Sequence, residues 1–152
     1  MNAIKLYRLG RMFYKRKIPF FPTLIRNCMF LLYNSYIPVS AEIGEGTVFA
    51  YGAIGVVLHS DSKIGRNCVI GQGVTIGAKE GYFSKEVNPA PVIGDNCYIA
   101  AGAKILGDIK IGNNCIIAAG ATVLSSAPDN SVLVGSPAKI VKSTEMDYLA
   151  IR

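Results

Sequence analysis

The chain has 152 residues, 51% of them hydrophobic and 17% charged, which suffices for one domain with a sizeable core and excludes a disordered chain. Its net charge of +6 averages two unlike parts: residues 1–36 carry seven basic side chains and no acid, whereas residues 37–152 hold nine basic and ten acidic ones. The basic character thus belongs to an N-terminal arm, and the remainder lacks the broad basic face that nucleic acid requires.

Within the arm, residues 2–16 set Ile4, Leu6, Tyr7, Leu9, Met12 and Phe13 among Lys and Arg, a loosely amphipathic helical pattern. Pro19 and Pro22 then punctuate the chain, and Thr23 offers a cap for a second helix reaching about Asn34. Two readings follow. Basic, aromatic helices suit anionic headgroups and hence a peripheral membrane contact. Short helices with an untidy apolar face suit packing on the rest of the chain or on another subunit, and this is the expectation preferred here. Arg and Lys interrupt every apolar run before residue 27, and Cys28–Tyr33 is too short to span a bilayer. The expected location is the cytoplasm, with contact at the inner membrane surface as the variant the arm allows.

A six-residue period starts at Ile37 and continues at Ile43 and Phe49. The next aliphatic start is Leu58, nine residues on, so Gly55-Val56-Val57 reads as a three-residue insertion. The period resumes through Ile64, Ile70 and Ile76. The stretch to Ile93 lacks it, and Gly77, Gly81, Pro89 and Pro91 mark residues 77–91 as a protruding loop. From Ile93 to Val123 the repeat is unbroken. Its fourth place is Asn, Gly or Asp, and its fifth is small or apolar: Cys97, Ala103, Ile109, Cys115 and Ala121. The pattern decays at Pro128. Three segments result: the arm 1–36, the repeat domain 37–128 and a C-terminal tail 129–152.

A short strand sends alternate side chains to opposite faces, so one strand and one turn bury two residues per hexad. Gly or Asn between them supplies the positive φ of a tight corner. Three hexads close one triangular coil, and stacked coils pair parallel strands. The period of six predicts an all-β, left-handed parallel β-helix of about five coils with a short helical arm. Cys68, Cys97 and Cys115 all occupy fifth places, where a free thiol acts as a small hydrophobe. No C-x-x-C spacing suggests a disulfide or zinc framework.

The stretches IGQGVTIG at 70–77, IAAGAKILGDIKIG at 99–112 and VGSPAKIV at 134–141 resemble the hexapeptide-repeat acyltransferases, above all the serine acetyltransferase branch. The resemblance runs from Ile37 to Lys142. It implies a homotrimer with acetyl-CoA in the groove between adjacent prisms, and direct acetyl transfer to an acceptor, a hydroxyl sooner than an amine. By matching position, small Ala101 and Ala119 would line the CoA channel, and Lys139 and Lys142 would meet its nucleotide end. Backbone N–H groups near Gly77 and Ala78 would stabilise the oxyanion. The chain also departs from that branch. Where the branch has an Asp before the repeats, a His in a DHATG-like segment and a loop His, the matched places are Tyr36, Gly52 and Ala90. A long helical N-terminal domain is replaced by about 36 residues. A sugar or surface-glycan precursor is therefore the expected acceptor, with L-serine as the alternative.

Acyl transfer to a hydroxyl needs a base, and the chain has one histidine, His59. It stands just after the first break in the period and is expected to be that base. Asp61, or Glu86 from the loop, would orient it, while Tyr51 and Gln72 would line the acceptor site. The carbonic anhydrases built on this prism need three histidines for zinc, so no catalytic metal is expected. A reading of a different class, a non-catalytic trimeric prism binding a partner through its arm, is disfavoured by His59.

Overall fold

A computed structural model describes residues 2–78 and 89–143. Twelve strands of two or three residues wind round a prism with three flat faces. The first face stacks β1 (Glu42–Ile43), β4 (Lys63–Ile64), β7 (Val92–Ile93) and β10 (Lys110–Ile111). The second stacks β2 (Val48–Phe49), β5 (Val69–Ile70), β8 (Tyr98–Ile99) and β11 (Ile116–Ile117), and the third stacks β3 (Val57–Leu58), β6 (Thr75–Gly77), β9 (Lys104–Leu106) and β12 (Thr122–Val123). All these neighbours pair in parallel. There are thus four complete coils, with a partial turn at each end where Tyr36 bridges Val57 and Ala127 bridges Ile111. The partial turns make up the fifth coil expected from the period.

The hexad explains the core. Its first place points inward at every regular coil, and Ile70, Ile76, Ile99, Ile105 and Ile117 are fully buried. Its fifth place turns the corner with a buried side chain that is small except at Ile109.

Departures from the period are confined to corners. Val92 pairs with Lys110, the regular 18 residues apart, but Val48 pairs with Val69, 21 apart. The three extra residues lie in a 3-10 turn at Ala50–Ala53, where Tyr51 and Gly52 have φ of 50° and 74°. This corrects the sequence expectation of an insertion at Gly55-Val56-Val57. Gly73 N donates to Ile54 O, making Ile54-Gly55-Val56 an ordinary corner, and Val57 opens β3. The loop after β6 lengthens the next step to 29 residues, from Val69 to Tyr98. The last corner is short, with Ile116 pairing with Val132 after 16.

The edge between the first and second faces carries two polar columns. Asn67, Asn96, Asn114 and Asn130 all adopt φ of 54° to 60°, the left-handed region that Asn tolerates. Asn96 Nδ2 donates to Asn114 Oδ1, and Asn114 Nδ2 to Asn130 Oδ1, each at 3.2 Å. Inside them stand Thr47, Cys68, Cys97, Cys115 and Ser131. Thr47 donates to Gly65 O at 2.7 Å, and the Cys68, Cys97 and Cys115 thiols reach Gly94, Gly112 and Pro128 carbonyls at 3.2 Å. The thiols fill space and also satisfy corner carbonyls. Hydrogen bonds with Cys115 and Cys68, together with burial, push the Cys97 pKa far above the ordinary thiol value. Cys97 is 1% exposed, so its thiol is closed to a substrate.

Both ends of the stack are covered. At the C-terminal end β13 (Ser131–Gly135) extends the second face, and β14 (Ala138–Ser143) closes it antiparallel. At the N-terminal end α1 (Ala3–Lys15) and α2 (Phe21–Tyr33) form a helical hairpin. Ala3, Ile4, Tyr7 and Gly10 of α1 are buried. Tyr7 Oη donates to Ala41 O at 2.6 Å, and Arg11 Nη1 lies 3.0, 3.0 and 2.6 Å from the carbonyls of Val39, Ser40 and Ala41. The arm thus packs on the first coil, the preferred sequence reading. Among the described residues no helix is long and apolar enough to cross a membrane.

Stacking distance makes Gly94 a sensitive position. A Cβ there would lie 2.6 Å from Asn113 Oδ1 and 2.8 Å from Gly112 C in the next coil. Backbone cannot retreat without opening the ladder. Gly94→Ala should lose at least the ~1–3 kcal/mol typical of overpacking, read as a lower urea midpoint. An unchanged midpoint would refute the close stacking.

Candidate active site

Counting hexads by threes assigns the candidate residues within the coils to edges. Gly73 N donates to Ile54 O, Gly102 N to Gln72 O and Gly120 N to Ala101 O. Ile54, Gln72, Ala101 and Ala119 therefore form one column on the edge between the second and third faces. Tyr51 stands on the same edge, on the inserted turn, 75% exposed. The edge is open lower down, where a Cβ added at Gly102 or Gly120 would meet nothing within 4 Å. It leads to the β13–β14 hairpin, whose Ser136 Oγ donates to Thr122 Oγ1 at 2.9 Å and whose Lys139 is exposed and pairs with Val134. Lys142 is described by its backbone, which pairs with Val132.

His59 lies on another edge, between the third and first faces. His59 N donates to Ile76 O, and Gly107 N to Gly77 O, so His59, Gly77 and Leu106 stack in successive coils. Ala78 follows Gly77 where the long loop leaves, and Pro91 O accepts from Lys63 N where it returns. His59 is thus beside the loop's root. Glu86 lies outside the described residues. Ala90, matched to the loop histidine of the serine acetyltransferase branch, is buried.

The imidazole itself is half-buried. Asp61 N–H donates to His59 Nδ1 at 3.2 Å, while the Asp61 carboxylate stands 3.9 Å away and 72% exposed. Asp61 therefore engages the ring through its backbone, and not through the carboxylate expected to orient it. An Nδ1 that accepts a hydrogen bond leaves the proton of the neutral ring on Nε2. For Nε2 to take a proton, the ring must change tautomer and give Nδ1–H to an acceptor. The Asp61 carboxylate reaches hydrogen-bond distance by an approach of about 1 Å. Ser62 Oγ donates to His59 O at 2.6 Å and holds this corner shut.

A third feature was not foreseen. Between the helical hairpin and the first coil lies a cavity of about 770 Å³, lined by Lys15, Lys17, Phe20, Arg26, Tyr36 and Ser60 among others. Ser60 follows His59, so the cavity borders the same edge. The run of arm cations was visible in the sequence, but their convergence depends on how the hairpin folds back.

Comparisons with known proteins fit this geometry. A family model described as bacterial transferase hexapeptide (six repeats) matches residues 90–125. Residues 90–125 thus carry the hexapeptide repeat of that family. The chain is 36% identical to a serine acetyltransferase of Bacillus pumilus over 93% of its own length and 63% of the relative's. Its fold superposes on the Neisseria gonorrhoeae serine acetyltransferase with a TM-score of 0.85 and 32% identity, covering 98% of this chain and 56% of that one. A serine acetyltransferase solved in complex with CoA gives a TM-score of 0.80 and 31% identity over 91% and 55%. This hexapeptide-repeat chain thus spans between half and two thirds of the length of these relatives, and its prism is a left-handed β-helix.

The single histidine makes the tautomer directly measurable. Two-dimensional 15N–1H correlation of the neutral ring should show Nδ1 unprotonated and Nε2 protonated. The opposite pattern would contradict the Asp61 N–H contact.

Proposed function

We propose that this protein is an acetyl-CoA-dependent O-acetyltransferase whose site forms between neighbouring copies of a homotrimer. The observation that carries the reading is the separation of its parts. The open small-residue edge with Tyr51, Gln72, Ala101 and Ala119, ending near Lys139, and the His59–Gly77 edge lie on different corners of one prism. Among the described residues, a single chain does not bring them together. Three prisms side by side set one edge of each copy against the other edge of its neighbour, as a homotrimer permits.

In this arrangement the pantetheine arm runs along Ala101 and Ala119, and Lys139 meets its phosphates as a point charge. The acceptor hydroxyl oxygen attacks the thioester carbonyl as His59 removes its proton. The tetrahedral oxyanion is held by backbone N–H near Gly77 and Ala78, the Gly77 N–H itself serving the β6–β9 ladder, and collapse expels the CoA thiolate, which recovers the proton. The tautomer change described above precedes that step, with Asp61 as positioning residue. The relatives support a hydroxyl acceptor. A saccharide or other small molecule is favoured over serine by Tyr36, Gly52 and Ala90 standing where the serine acetyltransferase branch has its Asp and two His. The alternative, L-serine, rests on the names of those same relatives. The location of such an enzyme is the cytoplasm.

Four measurements test this. An acetyl-CoA consumption screen over serine, amino sugars and glycan hydroxyls should find a saccharide acceptor, and turnover with serine alone would favour the alternative. On the acceptor found, His59→Ala should lower kcat by about 10²–10⁴-fold, and a loss within about threefold would remove the base role. Lys139→Ala should raise the KM for acetyl-CoA by about three- to tenfold with kcat unchanged. Light scattering should give three times the 16.3 kDa chain mass, and a stable monomer would break the intersubunit site.

A further inference from the structure

The arm divides its cations between two uses. Arg11 is consumed by the fold, its guanidinium spread over three backbone carbonyls. Lys15, Lys17 and Arg26 instead line the cavity. Among the described residues Lys63 pairs with Glu42 and the Asp61 carboxylate stands near His59, so no carboxylate there neutralises these three. Arg26 lies with its guanidinium carbon 5.7 Å from the centre of the Tyr36 ring and 3.5 Å from Asn27 Oδ1 through Nη2, neither of which cancels its charge. Three cations lining one hollow, Lys15 and Lys17 exposed and Arg26 half-buried, make it a positive surface that favours an anion.

The backbone around the hollow is strained in the same sense. Phe21 N donates to Pro19 O at 3.0 Å across Phe20, whose φ of 77° and ψ of −53° form a γ-turn, a strained conformation for an L residue. Lys17 also has a positive φ, 54°. Both residues line the cavity, and such strain is held where a side chain must be aimed. The turn also leaves α2 without a side-chain cap, and Pro22 and Thr23 of its first turn line the same wall, which adds the positive end of the helix dipole. Ile18, Pro19 and Phe20 supply an apolar side. With about 770 Å³ the hollow admits a drug-sized ligand, far larger than an amino acid.

We propose that this cavity binds a phosphate or diphosphate group carried by the acceptor, a soluble phosphorylated saccharide, and holds it beside the His59 edge. This rests on the acetyltransferase reading for the word acceptor; the anion site stands on the cavity itself. Lys15, Lys17 and Arg26 grip the phosphates, Arg26 by two parallel N–H donors. The sugar then lies toward Ser60 and the neighbouring His59.

Calorimetry with the full chain tests it, using UDP-N-acetylglucosamine as the diphosphate-bearing probe and N-acetylglucosamine as its uncharged counterpart. The diphosphate probe should bind at least tenfold tighter, and the Lys15→Gln, Lys17→Gln, Arg26→Gln triple variant should lose at least tenfold of that affinity. A Lys104→Gln, Lys110→Gln variant, with its cations on the prism faces, should keep it. Lys15→Arg, Lys17→Arg, retaining the charge, should restore binding and separates lost contact from lost folding. Equal binding of the two probes, or an unaffected triple variant, would overturn the proposal. So would flotation of the chain with phosphatidylglycerol vesicles that the triple variant abolishes, in the absence of soluble binding, since the cations would then serve a membrane. Diphosphate binding without acetyl transfer to any acceptor would sink the enzyme reading and spare the site; transfer to serine without diphosphate binding would do the reverse.

Discussion

Each coil lies one hydrogen bond from the next, about 4.8 Å away, and everything else in this protein answers to that distance. At such a spacing a residue is constrained mainly by its counterparts directly above and below. Columns therefore become the unit of structure. The Asn column repeats because a left-handed corner in one coil must be met by another in the next, and the amides then bond along the stack. The Thr, Cys and Ser column repeats because each corner carbonyl needs a donor from its neighbour. Irregularity is tolerated only where the chain can leave the stack, at corners, and those are the places where chemistry has room.

The same logic explains what the sequence disclosed. A buried first place and a small fifth place leave a signal readable in one dimension, so the prism and its approximate coil number followed from Ile37 to Val123 directly. The insertion was misplaced because aliphatic spacing alone cannot separate Val56, a regular corner residue, from the bulge at Ala50–Ala53. Edge assignment was within reach, since hexads counted by threes put Gln72, Ala101 and Ala119 together and His59 with Gly77. The role of Asp61 was not legible. Whether its N–H or its carboxylate meets His59 depends on a turn of three residues. The cavity was illegible for a different reason, because the period says nothing of how a helical hairpin lies across the first coil.

The arm shows how one run of positive charge serves two ends. Tyr7 and Arg11 satisfy carbonyls at the open start of the prism and secure α1 there. Lys15 at the end of α1, Lys17 just after it and Arg26 on α2 instead line one hollow. The reversal at Lys17 and Phe20, both with positive φ, is what brings cations of the two helices to the rim of the same cavity.

The two covered ends have a consequence beyond stability. α1 sits against the first coil, and β14 covers the far end of the second face by pairing antiparallel with β13. Four complete coils stand between them. From the inserted turn bearing Tyr51 to the coil of Ala119 there are three steps, roughly 14 Å at the parallel-strand spacing. The open edge is thus a ruler cut to a set length, from Tyr51 on the inserted turn to the β13–β14 hairpin with its exposed Lys139. A thin ligand laid along it would be measured against that length. Insertion or deletion of a single coil would leave the core intact and still make the ruler wrong.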